Sequence, residues 1–526
     1  MKSTLLLGFC IHLLCSAFSC GQKAPSKPNI IIILADDMGY GDVSALNPAS
    51  RIKTPHLDRL AGRSIVFSNA HAGASVCTPS RYGLLTGRFA FRAPSGGKGA
   101  SGFGTPEIEP GRETVAGILG RAGYTTACIG KWHLGLTWQT KNSDNNVVFD
   151  QETGYSNIDY SRKVINGPNS HGFDYSFIHP ASLDMPPYLF MRNHEVVDNE
   201  MVLTSALYRS SLPETRYSWD KKHTKDGDVY WDKGVWWRRG EISKSFRIEK
   251  CLDEIVDEGL GFITKCHAST PQKPFFMYLP LTGPHTPWMP SGEFRGESDL
   301  GTYGDFVLNI DNVVGRIDAL LKKLSIDENT LVIFSSDNGA YWPEEEIALS
   351  HHHSNFGRRG QKGDIWEGGH RVPLLISWPG EIRKPRVIND LVSLTDIYAT
   401  LAELTGQEVR KNNGEDSFSF WGLLAGTQQK PSRNAMIHHS SNGMFAYQKD
   451  GWKFIDGLGS GGFTPPVRMD PGPGMPSGQL YHLRTDPLEA NNVMAENAKL
   501  ADALKKELAE LIRSGTSKTQ KRASGD

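Results

Sequence analysis

Residues that could carry out chemistry are concentrated in the segment 76–88. Cysteine, proline and arginine alternate there as Cys77, Pro79 and Arg81. Proline sets φ for a first helical turn and glycine ends helices, so the pattern predicts a short helix that starts at Pro79 and stops before Gly87. Cys77 then lies at the mouth of the helix, where free N–H groups and the helix dipole favour an anion that Arg81 can also reach. On its own, the motif also fits a buried cysteine at an ordinary loop–helix junction.

Oxygen-bearing side chains follow two apolar runs. Asp36 and Asp37 come directly after the run 29–34, and Asp337 and Asn338 follow a second run. Ligands gather at the carboxyl edge of open α/β sheets, so we expect these side chains to meet there. An all-oxygen set selects Ca²⁺ or Mg²⁺ over zinc. Asp-Asp and Asp-Asn-Gly are also ordinary turn sequences.

Basic side chains follow two further runs. Lys131 and His133 come after the run 125–129, and His285 stands between Pro284 and Pro287 beyond the run 275–279. The prolines make the segment around His285 rigid, which favours a positioned acid. A surface lysine, a capping histidine and a stiff exposed loop are the simpler explanations.

The apolar runs are rich in β-branched residues and are typical of strands buried on both faces of a parallel sheet. Apolar residues also repeat at helical spacing in two stripes. The stripes are Val307, Ile310, Val314, Ile317, Leu321 and Leu324, and Leu394, Ile397, Tyr398, Leu401 and Leu404. Alternating strands and helices predict an α/β fold, with a mixed, largely parallel sheet flanked by helices.

The pattern changes near residue 431. Short strand-like runs at 435–438, 444–448, 452–455 and 479–483 precede a last helical stripe of leucines. We therefore predict a catalytic α/β domain over 27–430, a smaller C-terminal α+β domain over 431–514 and a disordered tail over 515–526. The Gly- and Pro-rich stretch 457–478 is either an ordered rim loop or a mobile connection.

The composition and the amino-terminal segment indicate an exported protein. The 526 residues include 57 Lys+Arg and 58 Asp+Glu, with no basic stripe that would favour nucleic acid. Residues 1–20 have the basic start and short apolar run of a signal peptide, too short for a transmembrane span. Cys20 is either a lipid-attachment site or lies near a plain cleavage site. Cys251 and Cys266 could pair in an oxidising compartment, which sequence alone does not decide.

The chain resembles the type I sulfatase family from Asn29 to Asn492. The resemblance is carried by Cys77-x-Pro79-x-Arg81 with Leu85-Thr86-Gly87-Arg88, Ala35-Asp36-Asp37-Met38-Gly39, Ser336-Asp337-Asn338-Gly339, Gly130-Lys131-Trp132-His133-Leu134-Gly135, Gly283-Pro284-His285-Thr286-Pro287, Gly360-Gln361-Lys362-Gly363 and Glu367-Gly368-Gly369-His370-Arg371. It implies an alkaline-phosphatase-like fold and hydrolysis of sulfate esters.

The resemblance also implies cofactors. A maturation enzyme would oxidise Cys77 to Cα-formylglycine, whose hydrated aldehyde is the nucleophile. Asp36, Asp37, Asp337 and Asn338, completed by the modified Cys77 side chain, would hold Ca²⁺, with Mg²⁺ as the alternative.

The remaining site roles follow the same motifs. Arg81, on the nucleophile's helix, is expected among the catalytic residues. Lys131 would neutralise a sulfate oxygen and His133 would take a proton. His285 and Lys362 would bind sulfate and assist the leaving group. Ser182 is either a site hydroxyl or part of a plain turn, and Glu367 and Arg371 are expected to be structural. The consecutive histidines are expected to contact solvent or substrate and not to bind zinc; they are His351, His352 and His353.

Aromatic residues between 136 and 250 suggest the substrate. They are Trp138, Tyr188, Tyr217, Trp219, Tyr230, Trp231, Trp236 and Trp237. They either form a sugar platform or pack in the core. In an exported sulfatase they favour a sulfated carbohydrate as substrate. The alternatives are a phosphonate monoester or phosphodiester hydrolase of the same superfamily and an inactive protein that binds sulfated glycans.

Overall fold

A computed structural model gives the fold. It describes residues 27–142, 144, 146–208, 219–221, 234–428 and 430–518. The predicted signal peptide, Cys20, most of the predicted tail, and the side chains of Tyr217, Trp219, Tyr230 and Trp231 lie outside the described part. No helix in the described ranges is long and apolar enough to cross a membrane.

Strands and helices alternate through the first 430 residues, as the sequence predicts. The strands are β1 (Asn29–Ala35), β2 (Ile65–Phe67), β3 (Ala70–His71), β4 (Thr125–Lys131), β5 (Tyr175–His179), β6 (Met191–Arg192), β7 (Glu195–Val196), β8 (Met201–Leu203), β9 (Trp219–Lys221), β10 (Trp237–Arg238), β11 (Glu241–Ser243), β12 (Phe275–Pro280), β13 (Thr330–Ser336), β14 (Leu374–Ser377), β15 (Arg386–Ile388), β16 (Val392–Ser393), β17 (Ala435–His439), β18 (Phe445–Lys449), β19 (Trp452–Ile455) and β20 (Gln479–His482). The α-helices are α1 (Pro55–Ala61), α2 (Cys77–Thr86), α3 (Val115–Arg121), α4 (Thr204–Leu207), α5 (Cys251–Ser269), α6 (Gly301–Lys323), α7 (Glu344–Ser350), α8 (Glu367–His370), α9 (Ile397–Leu404), α10 (Trp421–Ala425) and α11 (Ala498–Ser514).

A large mixed sheet forms the centre of the molecule. Its strand order is β15-β2-β14-β13-β1-β12-β4-β5-β6-β7. The five neighbours β13, β1, β12, β4 and β5 are parallel, and β14 and β6 run antiparallel beside them. This arrangement confirms the predicted mixed, largely parallel sheet. Five parallel strands bring five carboxyl ends to one edge.

Strand β1 shows why the sheet is layered. All seven of its residues are buried. Ile30 and Ile32 pack into a core shared with α3 and α9, whereas Ile31 and Ile33 pack into a second core shared with α5 and α6. Successive side chains of a strand point to opposite faces, so a continuous apolar run requires a helical layer on each side.

Both predicted helical stripes are confirmed. The first stripe lies on α6. The second begins in a 3₁₀ turn and continues through α9. The predicted helix of the cysteine motif is α2, which begins at Cys77, two residues earlier than the proline rule places it, and ends at Gly87 in the left-handed region with φ 67°.

The predicted carboxyl-terminal strands and helix also form. Strands β17 to β20 make an antiparallel sheet in chain order, and α11 packs Leu504, Leu508 and Leu511 against it. The predicted disorder of the tail is wrong at its start: Ser517 is buried and donates to Asp416 at 2.6 Å.

Two cysteines that could have formed a disulfide are both free. Cys251 and Cys266 lie on the single helix α5. Their separation along the axis is about 22 Å at the α-helical rise, far beyond the reach of a disulfide. The possible pairing is therefore wrong, because the two residues stand near opposite ends of one helix.

Candidate active site

The site lies at the carboxyl edge of the five parallel strands. Each strand is followed closely by at least one of the predicted site residues: β1 by Asp36 and Asp37, β13 by Asp337 and Asn338, β4 by Lys131 at its last position and then His133, β5 by Ser182, and β12 by His285. Helix α2 adds Cys77 and Arg81, and the loop before α8 adds Lys362. The structure brings all of these predicted residues to one region.

The acidic and thiol groups form a compact cluster. Ligand atoms of Asp36, Asp37, Cys77 and His285 lie within 4.8 Å of one another. Asn338 donates through Nδ2 to Asp37 at 2.7 Å. Within the described residues, Asp36 Oδ1 and Asn338 Oδ1 are buried without a hydrogen-bond partner. Buried oxygens of this kind fit a hard divalent cation, so the residues present suit the metal that the family resemblance implies.

Three buried cations offset the acids. Lys131 Nζ lies 2.6 Å from Asp36 Oδ2, and Lys362 Nζ lies 2.8 Å from Asp37 Oδ2. Arg81 is fully buried and contacts Asp337 at 2.7 Å and Asp36 at 3.4 Å. Burying an unpaired charge costs much free energy. The buried acids and the three buried cations therefore each depend on the other for stability.

The pKa values reflect this balance. Burial raises the pKa of Asp36, but attraction to Lys131, His285 and Arg81 outweighs it and leaves the pKa well below its ordinary value. Burial raises the pKa of Asp337 to about 7, against the attraction of Arg81 and with the repulsion of Asp36. The protein's own cations thus leave the third acid partly uncompensated, and a bound divalent cation would supply the missing charge.

The two histidines have defined tautomers. Nε2 of His133 lies 2.9 Å from the Ala100 carbonyl, so this nitrogen carries the proton and donates it. Nδ1 of His133 is buried without a partner and keeps its lone pair. Nδ1 of His285 likewise donates to the Thr286 carbonyl, which leaves Nε2 facing Asp37 at 3.7 Å. Burial lowers both pKa values, so each imidazole is neutral near pH 7 and can accept a proton.

Cys77 is not an activated thiolate in this environment. Its side chain is 4% exposed, and burial raises the pKa of the thiol. A low pKa is what makes cysteine nucleophilic in thiol hydrolases. The thiol occupies the position of the oxidised side chain that the sequence motif implies.

The backbone around the site is held in unusual conformations. Asp37 and His133 have φ of 66° and 54°, in the left-handed region that side chains other than glycine rarely adopt. Gly339 passes so close to Gly368 that a Cβ on it would lie 1.9 Å from the Gly368 carbonyl oxygen. The strand end that carries Asp337 can therefore approach α8 only with glycine at this position.

An open cleft of roughly 1560 Å³ leads to this cluster. Cys77, His133, His285 and Lys362 line its floor. Its wall includes segments that the sequence left open: 462–465 from the Gly- and Pro-rich stretch, which is therefore an ordered rim, and the half-buried Trp236.

Several predicted roles need correction. Trp138, Tyr188 and Trp237 are buried in the core and do not form a platform. His352 is fully buried and contacts Asp42 at 2.8 Å, so it faces neither solvent nor substrate; only its neighbours His351 and His353 are exposed. Adjacent residues on a loop point in different directions, which residue type alone does not reveal.

Other predicted roles agree with the contacts. Glu367 and Arg371 pair at 3.1 Å, away from the cleft lining, as the structural assignment expects. Ser182 accepts from Lys131 at 3.1 Å and lies 3.3 Å from His285 Nδ1, and its carbonyl also accepts from Met185 in a turn. The segment is therefore a turn, and the Ser182 hydroxyl lies among the candidate site groups, where its role in substrate binding stays a prediction.

Sequence reasoning missed two cleft residues, Asp184 and Arg238. Asp184 is 2% exposed and forms an ion pair with Arg238 across the cleft wall. The turn-like sequence around Asp184 gave no signal, because its arginine partner lies 54 residues away in the chain.

Comparisons with known proteins agree with this geometry. The Sulfatase family model matches residues 28–407. An N-acetylgalactosamine-6-O-sulfatase of Bacteroides thetaiotaomicron is 32% identical over 512 residues, covering 94% of each chain. A solved structure described as part of the metabolism of multiple glycosaminoglycans by Bacteroides thetaiotaomicron is 30% identical, with a TM-score of 0.76, and the match covers 93% of this chain and 100% of that one. The phosphonate monoester hydrolase of Agrobacterium radiobacter, 17% identical with a TM-score of 0.57 over 93% of this chain and 96% of its own, shares the fold alone. The chain belongs to the sulfatase family.

Proposed function

We propose that this chain is a formylglycine-dependent sulfuric ester hydrolase that removes sulfate from a sulfated glycan. The observation that carries the proposal is the convergence of Lys131, Lys362 and Arg81 with buried acids around Cys77 at the floor of an open cleft. A site that binds a sulfate anion beside acidic metal ligands needs fixed cations of this kind.

The chain's own residues have distinct roles in this mechanism. Asp36, Asp37, Asp337 and Asn338 would hold a divalent cation, and Cys77 oxidised to formylglycine would supply the oxygen nucleophile for the sulfate ester. Lys131 and Lys362 hold sulfate oxygens and stabilise the charge that shifts onto them. Their ammonium groups contact the innermost acids, so they point to the position of the ester.

Proton transfers are assigned to the two neutral histidines. His285 is neutral at rest, with its proton on the Nδ1 that donates to the Thr286 carbonyl; its Nε2 takes up a proton from water in the cleft and passes that proton to the oxygen of the departing alcohol. In the later step that frees sulfate, His133 would accept at Nδ1 a proton from the hydroxyl of the oxidised Cys77 side chain; this nitrogen has a lone pair and no partner among the described residues. Lys362 keeps its proton: burial lowers its pKa, but the combined attraction of Asp37, Cys77 and Asp36 outweighs burial and raises the pKa above its ordinary value. It therefore acts as a fixed charge.

A glycan is the favoured substrate class. The curated relative with 94% coverage is named an N-acetylgalactosamine-6-O-sulfatase. The cleft is large enough for several sugar units, and Trp236 on its wall offers an aromatic surface of the kind that binds sugar faces. Export to the periplasm or the extracellular space, with cleavage or lipid attachment near Cys20, would bring the enzyme to such a polymer.

A panel of esters tests the proposal. Matured protein should release sulfate from at least one sugar sulfate, such as N-acetylgalactosamine 6-sulfate, far faster than it cleaves a phosphonate monoester. Faster phosphonate cleavage would favour the other hydrolase class of the superfamily. Tight binding of sulfated glycans without product release, by protein with confirmed formylglycine, would favour a binding protein.

A further inference from the structure

The cleft wall next to the catalytic floor carries a charged pair that the proposed mechanism does not use. Ser182, which contacts Lys131 and His285, begins the turn that ends at Met185. Asp184 lies within this turn and lines the cleft. Its side chain therefore stands beside the sulfate-binding groups and not among them.

Arg238 fixes Asp184 on one side only. Nη1 of Arg238 donates to Oδ2 and to the backbone carbonyl of Asp184, and the Arg238 amide donates to the same carbonyl at 3.1 Å. The other carboxylate oxygen, Oδ1, is buried and has no partner among the described residues. A buried carboxylate oxygen without a donor is costly unless a ligand supplies one.

The carboxylate is ionised and therefore only accepts hydrogen bonds. Burial raises the pKa of Asp184, but attraction to His285 and Arg238 outweighs it and leaves the pKa below its ordinary value. An ionised carboxylate attracts hydroxyl groups and repels sulfate and carboxylate groups. Beside a cleft floor that binds an anion, this group selects against extra negative charge.

The same wall offers apolar surface for a sugar ring. The half-buried Trp236 lines it and supplies that surface; Trp288 also borders the cleft but is only 5% exposed, because Gly234 packs so tightly on it that a Cβ would lie 2.0 Å from the indole ring. An aromatic surface beside a carboxylate–guanidinium pair combines the apolar and polar contacts that a sugar presents.

We propose that Asp184 and Arg238 form the subsite that recognises a free ring hydroxyl of the sugar bearing the cleaved sulfate. Oδ1 of Asp184 accepts the hydroxyl hydrogen, and Arg238 holds the carboxylate in position. A second sulfate or a carboxylate at that ring position is rejected by repulsion. The inference rests on the proposed glycan sulfatase function and names the determinant of its specificity.

The test pairs substrate and enzyme changes. kcat/KM is measured for N-acetylgalactosamine 6-sulfate and its 3-deoxy and 4-deoxy analogues, with wild-type protein and with Asp184→Asn. With the wild type, kcat/KM for one deoxy analogue should be about tenfold or more below that for the parent sugar, as expected for the loss of a hydrogen bond to a charged group. We call this ratio the deoxy penalty. In Asp184→Asn, that penalty should shrink at least threefold, because the acceptor charge is gone.

Asp416→Asn is the matched control. Asp416 is a buried carboxylate that pairs with Arg92 at 2.9 Å and lies outside the cleft lining. It should retain the full wild-type deoxy penalty. Should Asp184→Asn fail to fold, Arg238→Lys, at a side chain that is 35% exposed, provides the second variant and should also reduce the penalty.

The outcomes separate the two proposals. Deoxy penalties of equal size in wild type and in the Asp184 or Arg238 variant would overturn this inference and leave the sulfatase proposal standing. Equal wild-type rates on a monosulfated sugar and on its 3,6- and 4,6-disulfated forms would also overturn it. Hydrolysis of 4-nitrophenyl sulfate but of no sugar sulfate would overturn the glycan proposal itself, and the inference with it.

Discussion

Arg81 donates from Nε and from Nη2 to the same oxygen of Asp337, at 2.9 and 2.7 Å. The contact joins the first half of α2, which carries Cys77, to the end of β13. A third donor, Nη1, binds the Lys131 carbonyl at 3.0 Å. One fully buried guanidinium therefore fixes the positions of the cysteine helix, an acidic residue and the end of β4.

Arg81→Lys should impair both stability and turnover. A lysine keeps the charge but cannot make the forked contact to Asp337 together with the bond to the Lys131 carbonyl. Breaking a buried ion pair costs about 3–5 kcal/mol, and this variant should lose a large share of that in the free energy of unfolding. Denaturant unfolding and sulfate release measure the two effects.

Arg88→Lys is the matched control for this change. Arg88 lies two residues after α2 and pairs with Glu109 through side chains that are 16% and 23% exposed. Partly exposed ion pairs contribute less than fully buried ones, so this variant should lose clearly less than Arg81→Lys in both measurements. Equal losses from the two substitutions would refute the special role of Arg81.

Removal of divalent cations should abolish sulfate release and lower the Tm. Asp36, Asp37 and Asp337 would then repel one another with only the protein's own cations to offset them, and Asn338 Oδ1 would lose its partner. Ca²⁺ or Mg²⁺ should restore both properties, and Asp36→Asn should raise the cation concentration needed about tenfold or more. Full activity in protein that elemental analysis finds free of divalent metal would contradict the assignment.

His133→Ala should leave release of the alcohol fast and make release of sulfate slow. The proposal gives His133 the late proton transfer and His285 the early one. Alcohol should therefore appear rapidly in an amount equal to the enzyme, while continuous sulfate release falls by about 10²–10⁴-fold. His285→Ala should suppress the rapid alcohol phase itself. Rapid-quench measurements of both products distinguish the variants, and similar alcohol kinetics in the two would rule out the division of roles.

A second histidine cluster predicts the pH dependence of stability. His71 on β3, His370 on α8 and His438 on β17 are fully buried, and Nδ1 of His71 lies 3.0 Å from Nδ1 of His370. The rings of His370 and His438 are stacked, with centroids 3.9 Å apart and an interplanar angle of 17°, so the two cannot both direct an in-plane lone pair at one ion. Burial lowers all three pKa values, that of His438 to about 3.

The direction in which stability changes with pH follows from the difference in proton binding between the folded and unfolded states. As pH falls below the ordinary histidine value of about 6.5, the unfolded state binds protons that the folded state does not. Stability should therefore fall on acidification, by at most about 1.4 kcal/mol per pH unit for each histidine. Of the charged groups that face the cluster, Lys453 opposes histidine protonation and Glu367 favours it.

Glu489, which pairs with Lys453 at 2.9 Å, acts in the opposite direction. Burial raises its pKa to about 7, against the attraction of Lys453, so its folded form holds a proton that the unfolded form loses. Unfolding free energies measured from about pH 7 to pH 5 should still decline, and His438→Asn should make the decline shallower. An unchanged slope in that variant would contradict the account.

Local signals predicted the fold and the floor of the site well. The β1 run Asn29–Ala35 and the helical stripe of α6 carry enough apolar periodicity to be read directly, and parallel strands bring their polar ends together by geometry. The contacts between distant segments were not readable. Nothing local indicates that Arg81 meets Asp337, 256 residues away, or that Asp184 meets Arg238.

Residue type also failed where burial decides the role. Trp237 packs in the core while its neighbour Trp236 lines the cleft. His352 is buried on Asp42 between two exposed histidines. In each case, adjacent residues of one type differ because the backbone turns one side chain inward and its neighbour outward.

The most direct test relates turnover to the state of Cys77. Protein is prepared in batches that differ in the fraction of Cys77 converted to formylglycine, which peptide mass spectrometry measures, with Cys77→Ala as the zero point. Sulfate release per mole of protein should rise linearly with that fraction and should vanish in Cys77→Ala, whose Tm should stay near that of the wild type. Substantial sulfate release from Cys77→Ala, or from protein whose Cys77 remains a thiol, would contradict the account.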